Sequence, residues 1–139
     1  MIGICVISHG SLASGLKDSC ELILGEQTQF LTIGLRDGDD FDKFKESALN
    51  LIKEVNHDKG VLVFVDLFGA SPYNSVLFSF PELISSGIDV RMITGVNLPM
   101  IIEACDKRMS MDLDELFYKV IHSGKEYVIG IDDKMNQTL

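Results

Sequence analysis

Gly60-Val-Leu-Val-Phe-Val65, ending at Asp66, is the most strand-like stretch of the chain and decides its fold class. The run is apolar and rich in β-branched residues with no polar alternation, the pattern of a strand buried on both faces in a parallel sheet. Ile2 to Ile7 repeats it and stops at Ser8-His9-Gly10-Ser11. Between these two runs, Leu12, Leu16, Cys20 and Ile23/Leu24 recur at helical spacing up to Gly25, and Phe30 to Ile33 reads as a further strand. Phe41, Phe44, Ala48, Leu51/Ile52 and Val55 then mark one face of a second helix, with Asp39 or Asp40 as its cap.

Beyond Asp66, the loop Leu67-Phe-Gly-Ala-Ser-Pro72 leads into a third, shorter helix through about Phe80, and Asp89 to Thr94 forms a fourth strand. Asn97 caps the next helix, with Pro99 in its first turn. Leu113, Leu116, Phe117, Val120 and Ile121 mark the last helix, which His122 and Gly124 close, and Tyr127 to Ile131 reads as a final strand. Strands alternating with helices imply right-handed βαβ units, hence a doubly wound α/β fold with helices on both faces of a mostly parallel sheet. The expected order is about 2-1-3-4 plus an edge strand, in one domain over residues 1–131 followed by a polar tail, 132–139. In that order the first and third strands are neighbours, and ligands bind in the crevice beyond their carboxyl ends. His9 ends the first strand and Asp66 the third, so the two most chemically suggestive residues converge on one spot.

Composition narrows what such a spot can do. The chain has 139 residues, 46% hydrophobic and 24% charged, with 12 Lys+Arg against 21 Asp+Glu and a net charge of −9. These are globular values, and the acidity with no Lys/Arg cluster argues against nucleic-acid or anionic-membrane binding. The cysteines, Cys5, Cys20 and Cys105, form no C-x-x-C pair and read as buried thiols of a reducing compartment. The apolar N-terminus lacks a basic flank and breaks at His9-Gly10, and no apolar run approaches the ~20 residues of a membrane span. The expected location is the cytoplasm.

An imidazole is a nucleophile toward phosphorus when one ring nitrogen is unprotonated and aimed outward while the other holds the proton. Asp66 can fix that tautomer by accepting a hydrogen bond from His9, the orienting logic of catalytic triads. Gly10 and Ser11 open a helix whose amides favour an anion, and Gly69-Ala70-Ser71-Pro72 supplies a second helix entrance with a hydroxyl at Ser71. Phosphoryl transfer needs mainly positioning and donors to the oxygens. No metal cluster is evident, and neither a metal nor a cofactor is called for. Taken singly, each feature has a plainer meaning: His9 as a polar turn residue, Asp66 as a helix cap, the Gly69 loop as an ordinary turn. His57 reads as an exposed turn residue, and Met100, Met109 and Met111 as packing.

Three segments together carry a family resemblance. Ile7-Ser-His-Gly-Ser-Leu-Ala-Ser-Gly-Leu16, Val65-Asp-Leu-Phe-Gly-Ala-Ser-Pro-Tyr-Asn74 and Ile93-Thr-Gly-Val-Asn-Leu-Pro-Met100 resemble the signature segments of the enzyme IIA domain of mannose-class sugar phosphotransferase systems, in family order and spacing. The resemblance implies that His9 is phosphorylated by the phosphocarrier HPr and passes the phosphate to an enzyme IIB, coupled to sugar uptake through a membrane permease. Membrane contact is then only indirect. It makes Asp66 the acid bonded to the active histidine, puts Ser71 where the family's loop contacts the phosphate, and sets Asn97, Leu98 and Pro99 in a loop bordering the same crevice. It also implies a homodimer that exchanges a C-terminal edge strand, a role for Tyr127 to Ile131. Ala70 stands where the family commonly has Gly, and Tyr73 where Phe is usual. Family members are often fused to IIB through an Ala/Pro-rich linker, and the lack of one before Leu139 makes a separate IIB the expectation.

Two of the rival readings share the same strand-to-turn histidine. A phosphocarrier subunit of dihydroxyacetone kinase would serve a soluble kinase, but the Asp66–Pro72 and Gly95–Pro99 segments favour the sugar system. A tetrapyrrole metal chelatase would want a second ligand facing His9. A receiver domain phosphorylated on Asp66 would want acidic residues where Ser8-His9 stand, and an FMN binder a hydroxyl-rich loop with flanking aromatics. A non-enzymatic regulatory module on the same fold is the remaining alternative.

Overall fold

The computed structural model describes residues 1–133. Four strands form one all-parallel sheet: β1 (Gly3–His9), β2 (Phe30–Leu35), β3 (Val61–Val65) and β4 (Val90–Ile93), in the order β2-β1-β3-β4. The helices are α1 (Leu12–Leu24), α2 (Phe41–Val55), α3 (Ser71–Leu77), α4 (Phe80–Ser85), α5 (Leu98–Lys107) and α6 (Leu113–Glu126). β1 and β3 are the central strands and every residue of β3 is buried, as its unbroken apolar run requires.

The period of two along these strands builds two cores. Ile4, Val6, Leu62 and Phe64 face α1, α5 and α6, meeting Cys20, Ile101, Ala104, Leu116 and Val120. Cys5, Ile7, Val61, Val63 and Val65 face the other way onto Phe44, Ala48 and Ile52 of α2, Val76 of α3 and Leu83 of α4. Removing one such fully buried Leu or Ile to Ala costs about 2–5 kcal/mol, so each face contributes strongly to holding the helices on the sheet. Local signals set the helix starts. Asp40 caps α2 by accepting from the Lys43 amide at 2.9 Å, while Asp39 instead accepts from the Arg36 amide at 2.7 Å. Asn97 caps α5, and Asp112 and Glu115 form a reciprocal capping box on α6.

Three expectations need correction. The helix expected to run from the Ser71 loop to about Phe80 is two helices: α3 closes at Phe78, and α4 restarts with Pro81 in its first turn. Pro81 has no N–H to continue the ladder of α3, yet a first-turn proline is compatible with a new helix. Gly124 does not stop the last helix, nor does His122 stand at its end, because α6 continues to Glu126. A Cβ at Gly124 would collide with Met100, so this glycine permits close approach of α6 to α5 rather than chain reversal. Tyr127 to Ile131 is not a fifth strand of this sheet: Tyr127 closes α6 and only Ile131 makes an isolated bridge. Strand-forming residues without a neighbouring strand have no ladder to join, and here Tyr127, Val128, Ile129 and Ile131 are all exposed. Of the polar tail expected over 132–139, residues 134–139 lie outside the described residues.

Candidate functional site

Because all four strands run parallel, the loops after β1, β3 and β4 emerge at the same edge of the sheet. At the end of β1 the chain turns through Gly10, whose φ of +54° lies in the left-handed region that a residue without Cβ adopts at no steric cost. The Gly10 amide donates to the Leu35 carbonyl at 2.8 Å, tying the turn to the end of β2. Ser8, fully buried, holds the turn from beneath: its Oγ accepts from the Ala13 amide at 2.9 Å and donates to the His9 carbonyl at 3.1 Å. Ser11 occupies the cap position of α1 but makes no side-chain cap bond, so α1 begins with a serine hydroxyl facing outward and Gly10 beside it.

Asp66 follows β3 directly and reaches back to His9 across the β1–β3 ladder. Its Oδ2 accepts from the His9 backbone amide at 2.8 Å and bonds the ring Nδ1 at 2.7 Å, while Oδ1 accepts from the Leu67 amide at 2.9 Å. The carboxylate is mostly covered and the imidazole half exposed, with side-chain accessibilities of 13% and 49%. Burial pushes the Asp66 carboxyl up, but the hydrogen bonds from His9 and the ring's charge outweigh it and hold the group below the ordinary aspartate value. An ionised carboxylate accepts only, so Nδ1 is the nitrogen that donates to Asp66, and in the neutral ring the lone pair is then on Nε2.

The remaining candidates divide. Gly69 turns the loop after Asp66, and Ser71 opens α3 with no side chain capping that helix. Ala70 has φ −84° and ψ 178°, extended backbone that alanine adopts without strain, and Tyr73 packs its ring 4.8 Å from that of Phe68. The Val96 amide donates to the Val65 carbonyl at 3.2 Å, which brings the loop after β4 against the residue preceding Asp66. Asn97 in that loop is committed elsewhere: it accepts from the Met100 amide and donates to the Gly124 carbonyl, both at 3.1 Å. Leu98 and Pro99 line a hollow of about 220 Å³ with Ile102, Glu103 and Tyr127, not with His9. His57 is an exposed turn residue. Among the described residues no group of three or more His, Cys, Asp and Glu is placed to hold a metal ion, and no helix is long and apolar enough to cross a membrane.

The same fold occurs in solved structures. The PTS IIA protein associated with the fucose utilization operon from Streptococcus pneumoniae aligns with a TM-score of 0.82 at 31% identity over 96% of each chain. Sheet order, helix placement and that likeness define the class: an EIIA component of a phosphotransferase system. Within that class the chain belongs to the EIIA-man family, described as PTS system fructose IIA component, whose model matches residues 3–121. The fructose-specific EIIA component of Bacillus subtilis (strain 168) is 28% identical over 84% of this chain and 77% of its own length. The mannose-specific EIIAB component of Escherichia coli (strain K12) is 29% identical over 96% of this chain, which spans only 40% of that protein. Membership of the mannose class supports a phosphocarrier role in sugar phosphotransfer, and components of this kind are in general phosphotransferases.

Proposed function

We propose that His9 accepts a phosphoryl group on Nε2 from phospho-HPr and passes it to an enzyme IIB, in the cytoplasm, as one step of sugar uptake and phosphorylation. The single observation that carries this reading is the double acceptance by Asp66 Oδ2 from the amide and Nδ1 of His9. It fixes backbone and ring together and leaves Nε2 out of that contact on a half-exposed imidazole. In the transfer, the Nε2 lone pair forms a bond to phosphorus while the bond from phosphorus to the donor imidazole breaks, and the Nδ1 proton stays on His9. Asp66 stabilises the positive charge that the ring gains. The Gly10-Ser11 entrance to α1 and the Ser71 hydroxyl at the mouth of α3 are the proposed donors to the phosphoryl oxygens. Asn97, Leu98 and Pro99 act on the site indirectly, by holding the loop that rests against β3.

The proposed assembly is a homodimer in which Tyr127 to Ile131 of one protomer pairs with the partner. Its exposed apolar side chains support this, as does β4, which among the described residues pairs with β3 alone. Beside β4 lies a hollow of about 430 Å³ lined by Phe68, Tyr73, Met92, Thr94 and Ile121, apolar enough to seat such a segment.

Intact mass after incubation with phosphoenolpyruvate, enzyme I and HPr tests the reading. One phosphoryl group, labile in acid, stable in base and absent from His9→Ala, is expected. No added mass on the wild type would overturn the carrier role, and an acyl phosphate surviving in His9→Ala would move the chemistry to Asp66.

A further inference from the structure

Asp66 approaches His9 from the β3 side, and Arg36 stands on the opposite flank. In the β1–β2 register His9 lies beside Leu35, and the bond from the Gly10 amide to the Leu35 carbonyl extends that pairing one step past the strand end. Arg36 therefore emerges level with the His9–Gly10 turn. Its Nη1 lies 3.9 Å from the point a Cβ on Gly10 would occupy, and since Gly10 has no side chain, the space between them is open.

The acids around Arg36 do not claim its guanidinium. Asp39 accepts from the Arg36 backbone amide at 2.7 Å, and Asp40 accepts from the Lys43 amide at 2.9 Å as the cap of α2. No ion pair among the described residues involves Arg36. In a chain with net charge −9, an exposed guanidinium beside the histidine turn and without a carboxylate partner is a site for an anion arriving from outside.

We propose that Arg36 is a phosphate-binding residue for the group carried on His9, donating hydrogen bonds to its oxygens. The proposal rests on the carrier reading above. The charge logic is local: Asp66 fixes the tautomer but adds a negative charge beside an incoming phosphoryl group of about −2. A cation on the far side of the ring offsets that repulsion without disturbing Nδ1, and the planar guanidinium reaches two oxygens at once. No bond to Arg36 forms or breaks.

The test is the equilibrium between phospho-HPr and the protein, read by intact mass for wild type, Arg36→Ala and Arg36→Lys, with the ³¹P shift of the phosphohistidine alongside. Expected are a fall of about tenfold in the equilibrium constant for Arg36→Ala, a moved ³¹P resonance, and partial recovery in Arg36→Lys, which keeps the charge but not the fork. An Arg36→Ala equilibrium and ³¹P shift equal to wild type would overturn the proposal while leaving the carrier role intact. So would a raised KM for phospho-HPr with the equilibrium unchanged, since that marks a docking contact only. Failure of the wild type to take phosphate would instead overturn the carrier reading itself.

Discussion

One oxygen of Asp66 holds both the backbone amide and the ring of His9, at 2.8 and 2.7 Å. The imidazole is thereby fixed relative to its own main chain, and the proton is kept on Nδ1. Replacing Asp66 by Ala removes both bonds but leaves the buried faces of β1 and β3 untouched. We expect Asp66→Ala to fold normally by circular dichroism while phosphorylation of His9 slows by roughly 10²–10⁴-fold. Transfer near the wild-type rate would remove Asp66 from the mechanism.

The same carboxylate makes stability depend on pH with a definite sign. Its folded value lies below that of the unfolded chain, because His9's hydrogen bonds and charge outweigh the opposing effect of burial. The unfolded chain therefore binds the proton more readily as pH drops. The contribution is fully present above the ordinary aspartate value and is lost as pH falls through the lower, folded one, below about pH 4. Urea denaturation of wild type and Asp66→Asn should show a stability gap at pH 6 that narrows as the pH falls below the ordinary aspartate value of about 4. A gap that widened toward acid would contradict the assigned sign.

Local pattern made the sheet legible, and one topological rule made the site so. The apolar run ending at Asp66 and the one ending near His9 are central strands because nothing polar interrupts them, and the 2-1-3-4 order then brings their ends together. What escaped depends on contacts that the local pattern does not announce. Arg108 is buried and gives its guanidinium to the carbonyls of Thr28 at 2.7 Å and Gln29 at 3.1 Å, a role no spacing near it announces. Ser8 reads as part of a polar turn until Ala13 is seen bonded to it. Gly124 carries the mark of a helix end, but only its neighbour Met100 reveals that it serves packing. Tyr127 to Ile131 has strand composition, yet a strand is defined by what it pairs with.

The thiols provide a check on the two cores. Burial pushes up the thiols of Cys5, Cys20 and Cys105 alike, and the sulfurs of Cys20 and Cys105 lie 3.6 Å apart between α1 and α5. Thiolate is the reactive form, so all three should resist a disulfide reagent at pH 8 in the native protein and react together once denaturant is added. Rapid native labelling at Cys5 or Cys20, both fully buried, would mean that the packing of α1 or α2 on the sheet is looser than described.

Gly124 and Met100 set a test of opposite sign from ordinary helix propensity. Glycine to alanine inside a helix normally gains up to about 1 kcal/mol. At Gly124 the new methyl group would run into the Met100 side chain, and the adjoining carbonyl holds Asn97, which caps α5 and carries the loop resting on β3. Gly124→Ala should therefore destabilise by about 1–3 kcal/mol in chemical denaturation, the usual cost of overpacking. Met100→Ala leaves a cavity when made alone but vacates the space that the methyl needs. Combined, the two changes should cost less than the sum of the single ones, a positive coupling that a double-mutant cycle measures directly. Strict additivity would show that the added methyl and the Met100 side chain do not compete for the same space.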